Sequence, residues 1–268
     1  GRTNANDNKI IQGHAPEPLN DIGRKEVDLL TKRLSKIEFT NVFSSDLVRA
    51  KETTEILIES IDFDKKDVIY DERLRERKFG ILEGQSIKLR TKLAAEAKQP
   101  ILAYTPQGGE TFGCLQDRAA KIFEFIREKL YKEIYDSGKA CRKLTYVNLA
   151  DVKLSDDFAQ LLPDEVDARA LLVTHGGLIR ELLRYLLDKY RLKYAADPSL
   201  DRSGVLKLSC NTALTEVLIF SGGNMHNRDV NKALMVQSIV CPVLNSISHL
   251  KAVNRSKTMD FDELGSGV

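Results

Sequence analysis

The sequence predicts an α/β fold: a three-layer sandwich in which one mostly parallel sheet is flanked by helices on both faces. Two strand-then-helix units carry that prediction. One is Leu171-Leu172-Val173-Thr174-His175-Gly176-Gly177, an apolar run that ends in a histidine and two glycines. Apolar residues at helical spacing follow it through Leu187, so the pattern reads as a buried strand, a tight turn and an amphipathic helix. The other is Phe39–Ser45, rich in β-branched and aromatic residues, followed by a segment with Leu47, Ala50, Thr54 and Leu57 on one face. Strands alternating with helices in this way build a sheet covered on both sides. The chain has 268 residues, 42% of them hydrophobic, enough for one large α/β domain, or two small ones, with a sizeable core.

Taken in order, residues 1–18 are polar and turn-rich and read as a loop or a frayed terminus. A helix follows over Arg24–Leu34, with Val27, Leu30 and Leu34 on one face and Asn20 or Asp21 able to cap it. After the Phe39–Ser45 strand, Ser45 or Asp46 caps the next helix. Val68–Tyr70 is a brief strand. Residues 71–84 are dense in charge and carry Gly80 and Gly84, which predicts a loop. Ser86–Lys98 is a helix, and 99–109, with two prolines and two glycines, is a loop. Glu110–Tyr135 is the longest helix, its stripe running Phe112, Leu115, Ala119, Ile122, Phe123, Ile126, Leu130 and Ile134. Residues 137–168 are expected to form an acidic surface insertion, mobile and with one helical turn near Phe158–Leu162. Beyond the helix after His175, Thr212–Phe220 and Ala233–Cys241 read as strands joined by a turn starting at Ser221-Gly222-Gly223-Asn224. Residues 1–253 thus form a single domain, and 254–268 read as a disordered tail.

Composition excludes several classes of function. Lys+Arg of 41 against Asp+Glu of 39 leaves a net charge of +2, so nothing favours a nucleic-acid surface. No apolar run approaches the ~18 residues of a membrane span, and no signal peptide is visible. The four cysteines lie in separate segments without a C-x-x-C pair. They read as free thiols in a reducing compartment, with the cytoplasm as the default location. No carboxylate cluster has the spacing of a metal site, and no cofactor is expected.

Three residues suggest chemistry. His175 falls where a strand hands over to a helix, the end of an α/β sheet at which ligands bind; taken alone, it is also what a histidine satisfied by a neighbour looks like. Arg49 falls in the first turn of a helix, unfavourable with the helix dipole unless an anion sits there; the alternative is a solvated surface arginine. Glu76 sits among arginines, where a carboxylic acid could protonate a leaving oxygen; a solvated charged loop is the usual reading. Arginine, histidine and carboxylate together suit phosphoryl chemistry.

Six motifs, in order, resemble the histidine phosphatase superfamily, the phosphoglycerate mutase-like proteins. They are Gly1-Arg2-Thr3 through Asn6, Ile10-Ile11-Gln12-Gly13, Phe43-Ser44-Ser45-Asp46-Leu47 with Arg49, Arg73 through Gly80 with Glu83-Gly84, Pro106-Gln107-Gly108-Gly109-Glu110-Thr111, and Val173-Thr174-His175-Gly176. Within the superfamily the chain looks most like the TIGAR-type fructose-2,6-bisphosphatases. The resemblance implies the phosphoglycerate mutase-like fold and a phosphatase acting on a small phosphorylated metabolite through a phosphohistidine. It implies Arg49, Glu76 as proton donor and His175 as catalytic residues. Asn6, Gln12, Gly13, Arg49, Gly109, Glu110 and Gly176 would bind substrate or phosphate. It implies no metal. Phosphoglycerate mutase-like transfer, another phosphosugar, or phosphate binding without catalysis stay open.

The sequence departs from the family pattern at its start. Gly1 matches the glycine of the family's Arg-His-Gly triplet, whose histidine is the nucleophile. The arginine, the histidine and the first central strand before them are not in this sequence. A polypeptide of this sequence is therefore expected to be inactive, and less stable than one with the strand restored.

Overall fold

A computed structural model describes residues 1–136, 143–149, 154–194, 205–206, 209–221 and 236–252. Their elements run α1 Asn4–Asp7, α2 Asp21–Leu34, β1 Asn41–Ser44, α3 Val48–Ile58, β2 Ile69–Tyr70, α4 Ile87–Glu96, α5 Phe112–Asp136, β3 Leu144–Thr145, α6 Asp156–Ala159, β4 Glu165–Val166, β5 Ala170–Val173, α7 Gly176–Tyr190, β6 Lys193–Tyr194, β7 Leu214–Ser221 and β8 Val236–Ser246.

The central sheet is β2-β1-β5, all parallel, with Asn41 opposite Ala170 and Ser44 opposite Val173. Side chains along a strand alternate between its faces, and here each face has its own core. Val42, Leu171 and Val173 pack with Val27, Leu30 and Leu34 of α2 and Ala50 and Leu57 of α3. Phe43 faces the other way, with Leu172, onto Leu115, Ala119 and Ile122 of α5 and Leu178 of α7. That alternation is the expected three-layer arrangement. A second sheet, β6-β8-β7, pairs β8 parallel to β6 and antiparallel to β7. Its Ile239 and Cys241 pack on Leu183 and Leu186 of α7.

The start of the chain is more ordered than its composition suggests. Thr3 caps α1 in a reciprocal capping box with Asn6, and Arg2, Thr3 and Ala5 are buried. The segment docks on α2, where Asn20 caps the helix by accepting from the Gly23 amide at 2.8 Å. Gly23 has to be glycine there: a Cβ would stand 2.1 Å from the Arg2 carbonyl oxygen. The cap of α3 also differs from expectation. Leu47 occupies it without a side-chain bond of its own: Asp46 is taken by Arg75, at 2.6 and 2.5 Å, and Ser45 Oγ accepts from the Leu47 amide at 3.3 Å.

Within the 137–168 segment, β3 and β4 pair antiparallel around α6, which is the expected helical turn placed two residues earlier. Residues 137–142 and 150–153, the turn beyond Ser221 and the 254–268 tail lie outside the described residues. The hairpin contributes Tyr146, whose hydroxyl donates to Glu216 of β7 at 3.2 Å. Burial pushes the Glu216 carboxyl up from 4.5 to about 7, against the pull of Arg169 and Arg33. A carboxyl with a raised folded pKa keeps a proton that the unfolded chain has already lost. Stability therefore falls as pH rises from 4.5 to about 7. Glu216→Gln is expected to match the parent near pH 4 and exceed it at pH 8 by about 2–3 kcal/mol, read from denaturant unfolding at both pH values.

Candidate active site

The site forms where β1 and β5 end side by side. Because Ser44 and Val173 are in register, the next amide, Ser45 N–H, donates to the Val173 carbonyl at 2.9 Å. That bond carries the pairing one residue past the strands and sets Ser45 beside His175. The two side chains meet, His175 Nε2 to Ser45 Oγ, at 2.9 Å. His175 is the N-cap residue of α7, in extended conformation, and is buried. Ser45, which the sequence presents as a helix cap and as part of the Phe43–Leu47 motif, is thus the partner of His175. The available signal was its place directly after the strand next to that of His175.

Arg49 is the second residue of α3 and is also buried. Its Nη2 donates to the Gly13 carbonyl at 2.8 Å and its Nη1 to the Ala15 carbonyl at 3.3 Å. The guanidinium is thus aimed by neutral oxygens. The turn that supplies them needs glycine at position 13: its φ is +50°, and a Cβ would stand 2.3 Å from Glu83 Oε1. Gln12, the neighbour, has its Oε1 buried with no hydrogen-bond partner.

Glu76 reaches the same place from the charged loop. Its Oε1 accepts from the Arg77 amide at 2.7 Å, and its Oε2 accepts from the Gly177 amide at 3.1 Å, in the first turn of α7. The loop is locked by bonds to its own backbone. Arg118 of α5 donates to the carbonyls of Arg73, Arg75 and Glu76 at 2.9, 2.6 and 3.2 Å. His14 Nε2 meets the Glu76 carbonyl at 2.8 Å, and the Thr174 hydroxyl donates to the Leu74 carbonyl at 2.7 Å. Arg118 was not foreseen. Its signal was a charged residue beside the apolar stripe of a helix, between Leu115 and Ile122.

Arg49, Glu76 and His175 line one cavity of about 330 Å³, together with Asn6, Gln12, Gly13 and Gly176. Gly109 and Glu110, expected among the substrate-binding residues, are not brought into its wall. Gly109 bridges to Phe79, and Glu110 pairs with Arg118 at 2.7 Å while its carbonyl accepts from Arg77. The Pro106–Thr111 motif therefore holds the loop from behind instead of facing the cavity.

Burial first, and then the charge of Arg49, hold the His175 imidazole well below its usual 6.5, so it is neutral at pH 7 with the cavity empty of anions. An anion bound between Arg49 and His175 offsets that repulsion and favours the imidazolium, which would stabilise negative charge on the anion. Among the described residues no group of three or more His, Cys, Asp or Glu is arranged to hold a metal ion. Nor is any helix among them long and apolar enough to cross a membrane.

The family profile described as Histidine phosphatase superfamily (branch 1) matches residues 1–135. The fructose-2,6-bisphosphatase TIGAR of Bos taurus is 34% identical, over 96% of this chain and 96% of its own length. That of Xenopus tropicalis is 32% identical, over 95% of this chain and 93% of its own length. Among solved structures, phosphoglycerate mutase from Bacillus anthracis superposes with a TM-score of 0.60 at 20% identity, covering 93% of this chain and 91% of that one. At that identity the likeness speaks for the fold, which is phosphoglycerate mutase-like.

Proposed function

Because this chain belongs to the histidine phosphatase superfamily (branch 1) and to its phosphoric monoester hydrolases, we propose that its cavity takes a small phosphorylated sugar, with fructose-2,6-bisphosphate as the substrate. The observation that carries this reading is the convergence of Arg49, His175 and Glu76 on one cavity wall. Arg49 and Asn6 hold the phosphoryl oxygens. His175, placed by Ser45, stabilises the charge that builds on them. Glu76 delivers a proton to the departing sugar oxygen and then helps activate water. The names of the relatives supply the choice of sugar. A cytoplasmic setting fits the free thiols of Cys114 and Cys241.

The attacking nucleophile is a histidine preceding Gly1 in the family pattern, and neither histidine near the site replaces it. His175 is committed to Ser45, and His14 to the carbonyl of Glu76. A polypeptide of this sequence therefore binds phosphate without cleaving the ester. The test compares it with one extended before Gly1 by an apolar strand ending in Arg-His, both given fructose-2,6-bisphosphate. The extended form is expected to release phosphate through an acid-labile phosphoprotein, and the unextended form to release none. Phosphate release by the unextended form would overturn its inactivity. A folded extended form that leaves fructose-2,6-bisphosphate intact would overturn the choice of substrate.

A further inference from the structure

Glu76 is held by groups that stand outside the cavity. Four consecutive carbonyls of its loop, those of Arg73, Leu74, Arg75 and Glu76, accept from side chains of other elements. Thr174 serves Leu74, and Arg118 serves the other three. The donors that Arg118 has left go to Glu110: Nε to Oε1 at 2.9 Å and Nη2 to Oε2 at 2.7 Å. All the N–H donors of the guanidinium fork are therefore committed, three to the loop and two to the carboxylate that aligns it. Only 17% of the Arg118 side chain and 14% of that of Glu110 are exposed, so solvent screens this pair less than a surface ion pair. Glu110 also accepts from the Lys78 amide at 3.4 Å, on the far side of Glu76.

The two helices behind the loop are fixed to each other. Leu115, Ala119 and Ile122 of α5 share one core with Leu178 of α7. Arg118 projects from α5 to grip the Glu76 carbonyl at 3.2 Å, and α7 offers the Gly177 amide to Glu76 Oε2 at 3.1 Å. The acid is thus tied at both ends, its backbone to one helix and its carboxylate to the other. A general acid works only within hydrogen-bond reach of the oxygen it protonates, and a misplacement of about 1 Å costs about a hundredfold.

We infer that Arg118, aligned by Glu110, is the positioning residue of the proton donor: it fixes the Glu76 backbone to α5 and so sets where the carboxyl meets the leaving oxygen. This rests on the phosphatase reading of the site and deepens it. Arg118 acts through Glu76 alone, so its removal harms only those substrates whose leaving oxygen needs a proton.

The test follows the first phosphoryl transfer, in single turnovers of the polypeptide extended before Gly1 by an apolar strand ending in Arg-His. Two substrates are compared. Fructose-2,6-bisphosphate releases a sugar oxygen that leaves only with a proton, whereas p-nitrophenyl phosphate releases a phenolate stable as an anion. Arg118→Met is expected to slow transfer from the sugar by about thirtyfold or more and from p-nitrophenyl phosphate by less than about threefold. Arg118→Lys should fail nearly as badly, because one ammonium does not span three carbonyls and a carboxylate. Glu110→Gln should lose less, with the same preference between substrates. In a Glu76→Gln background Arg118→Met should cost nothing further, to within about twofold. Inorganic phosphate binding, measured by calorimetry, reports whether each variant keeps its fold; where Arg118→Met loses it, Glu110→Gln decides by the same comparison. Equal slowing of both substrates, or a further loss in the Glu76→Gln background, overturns the inference and leaves the phosphatase reading standing. An extended parent that transfers phosphate from neither substrate overturns both.

Discussion

Replacing His175 with asparagine is expected to lower turnover by about a hundred- to a thousandfold in a polypeptide that also carries the nucleophilic histidine. Asparagine fills similar space but cannot become a cation when the phosphoryl group is in flight. The imidazole is buried, sits 2.9 Å from Ser45 Oγ and is kept neutral by burial and Arg49 until an anion arrives. The loss should therefore appear in kcat more than in KM. The same shift has a stability signature. A histidine whose folded pKa lies below 6.5 stays neutral where the unfolded chain takes up a proton, so stability falls as pH drops through that value. Asparagine binds no proton, so His175→Asn should lose less stability than its parent between pH 8 and pH 5. Normal turnover in the mutant would remove His175 from the chemistry.

Gly177→Ala should be nearly as damaging through a single methyl group. A Cβ there would stand 2.1 Å from Glu76 Oε1 and 3.1 Å from its carboxyl carbon. That oxygen belongs to the acid group itself, which also accepts from the Gly177 amide, so the carboxylate has to leave. Turnover is expected to fall by about a hundredfold or more, the usual worth of a placed general acid. Inorganic phosphate binding, which the proposed function assigns to Arg49 and Asn6, should survive. The variant should also be as stable as the parent or slightly more so, since alanine is favoured over glycine in a helix by about 1 kcal/mol. Lost activity with a raised or unchanged unfolding midpoint identifies displacement of Glu76, and lost activity with a lowered midpoint indicates general damage instead.

The layered fold and the strand ends were legible in the sequence because they depend on local pattern. Val42 and Phe43, and Leu171 and Leu172, read as apolar strand residues in either direction, and the structure sends alternate ones to two cores. His175 and Arg49 were legible because each follows a strand and opens a helix. What escaped was the set of groups that position them. Ser45 meets His175, and Arg118 holds the loop of Glu76, across separations that periodicity does not encode, such as the 130 residues between Ser45 and His175. Gly109 and Glu110, expected beside the pocket, are tied elsewhere in the structure, the Glu110 carboxylate to Arg118. The N-terminal segment was misjudged for a related reason. Its polar residues are caps and ion-pair partners, Arg2 with Asp7 and Glu26 among them, and composition alone does not separate those from solvated ones.

The register of Ser44 opposite Val173 has an evolutionary consequence. A one-residue slip of β5 would exchange Leu171 and Val173 with Leu172 between the two cores and pull His175 away from Ser45, so every packing and catalytic contact of that strand would fail at once. The α4 side of the cavity is not built on paired strands of the central sheet: its backbone tie runs to the N-terminal loop, from the Ile87 amide to the Lys9 carbonyl at 3.0 Å. Drift in ligand preference can therefore accumulate on α4 and in the 99–109 loop while the paired strands stay frozen. Descendants of this architecture should differ first in which molecule they accept and last in how they cut it.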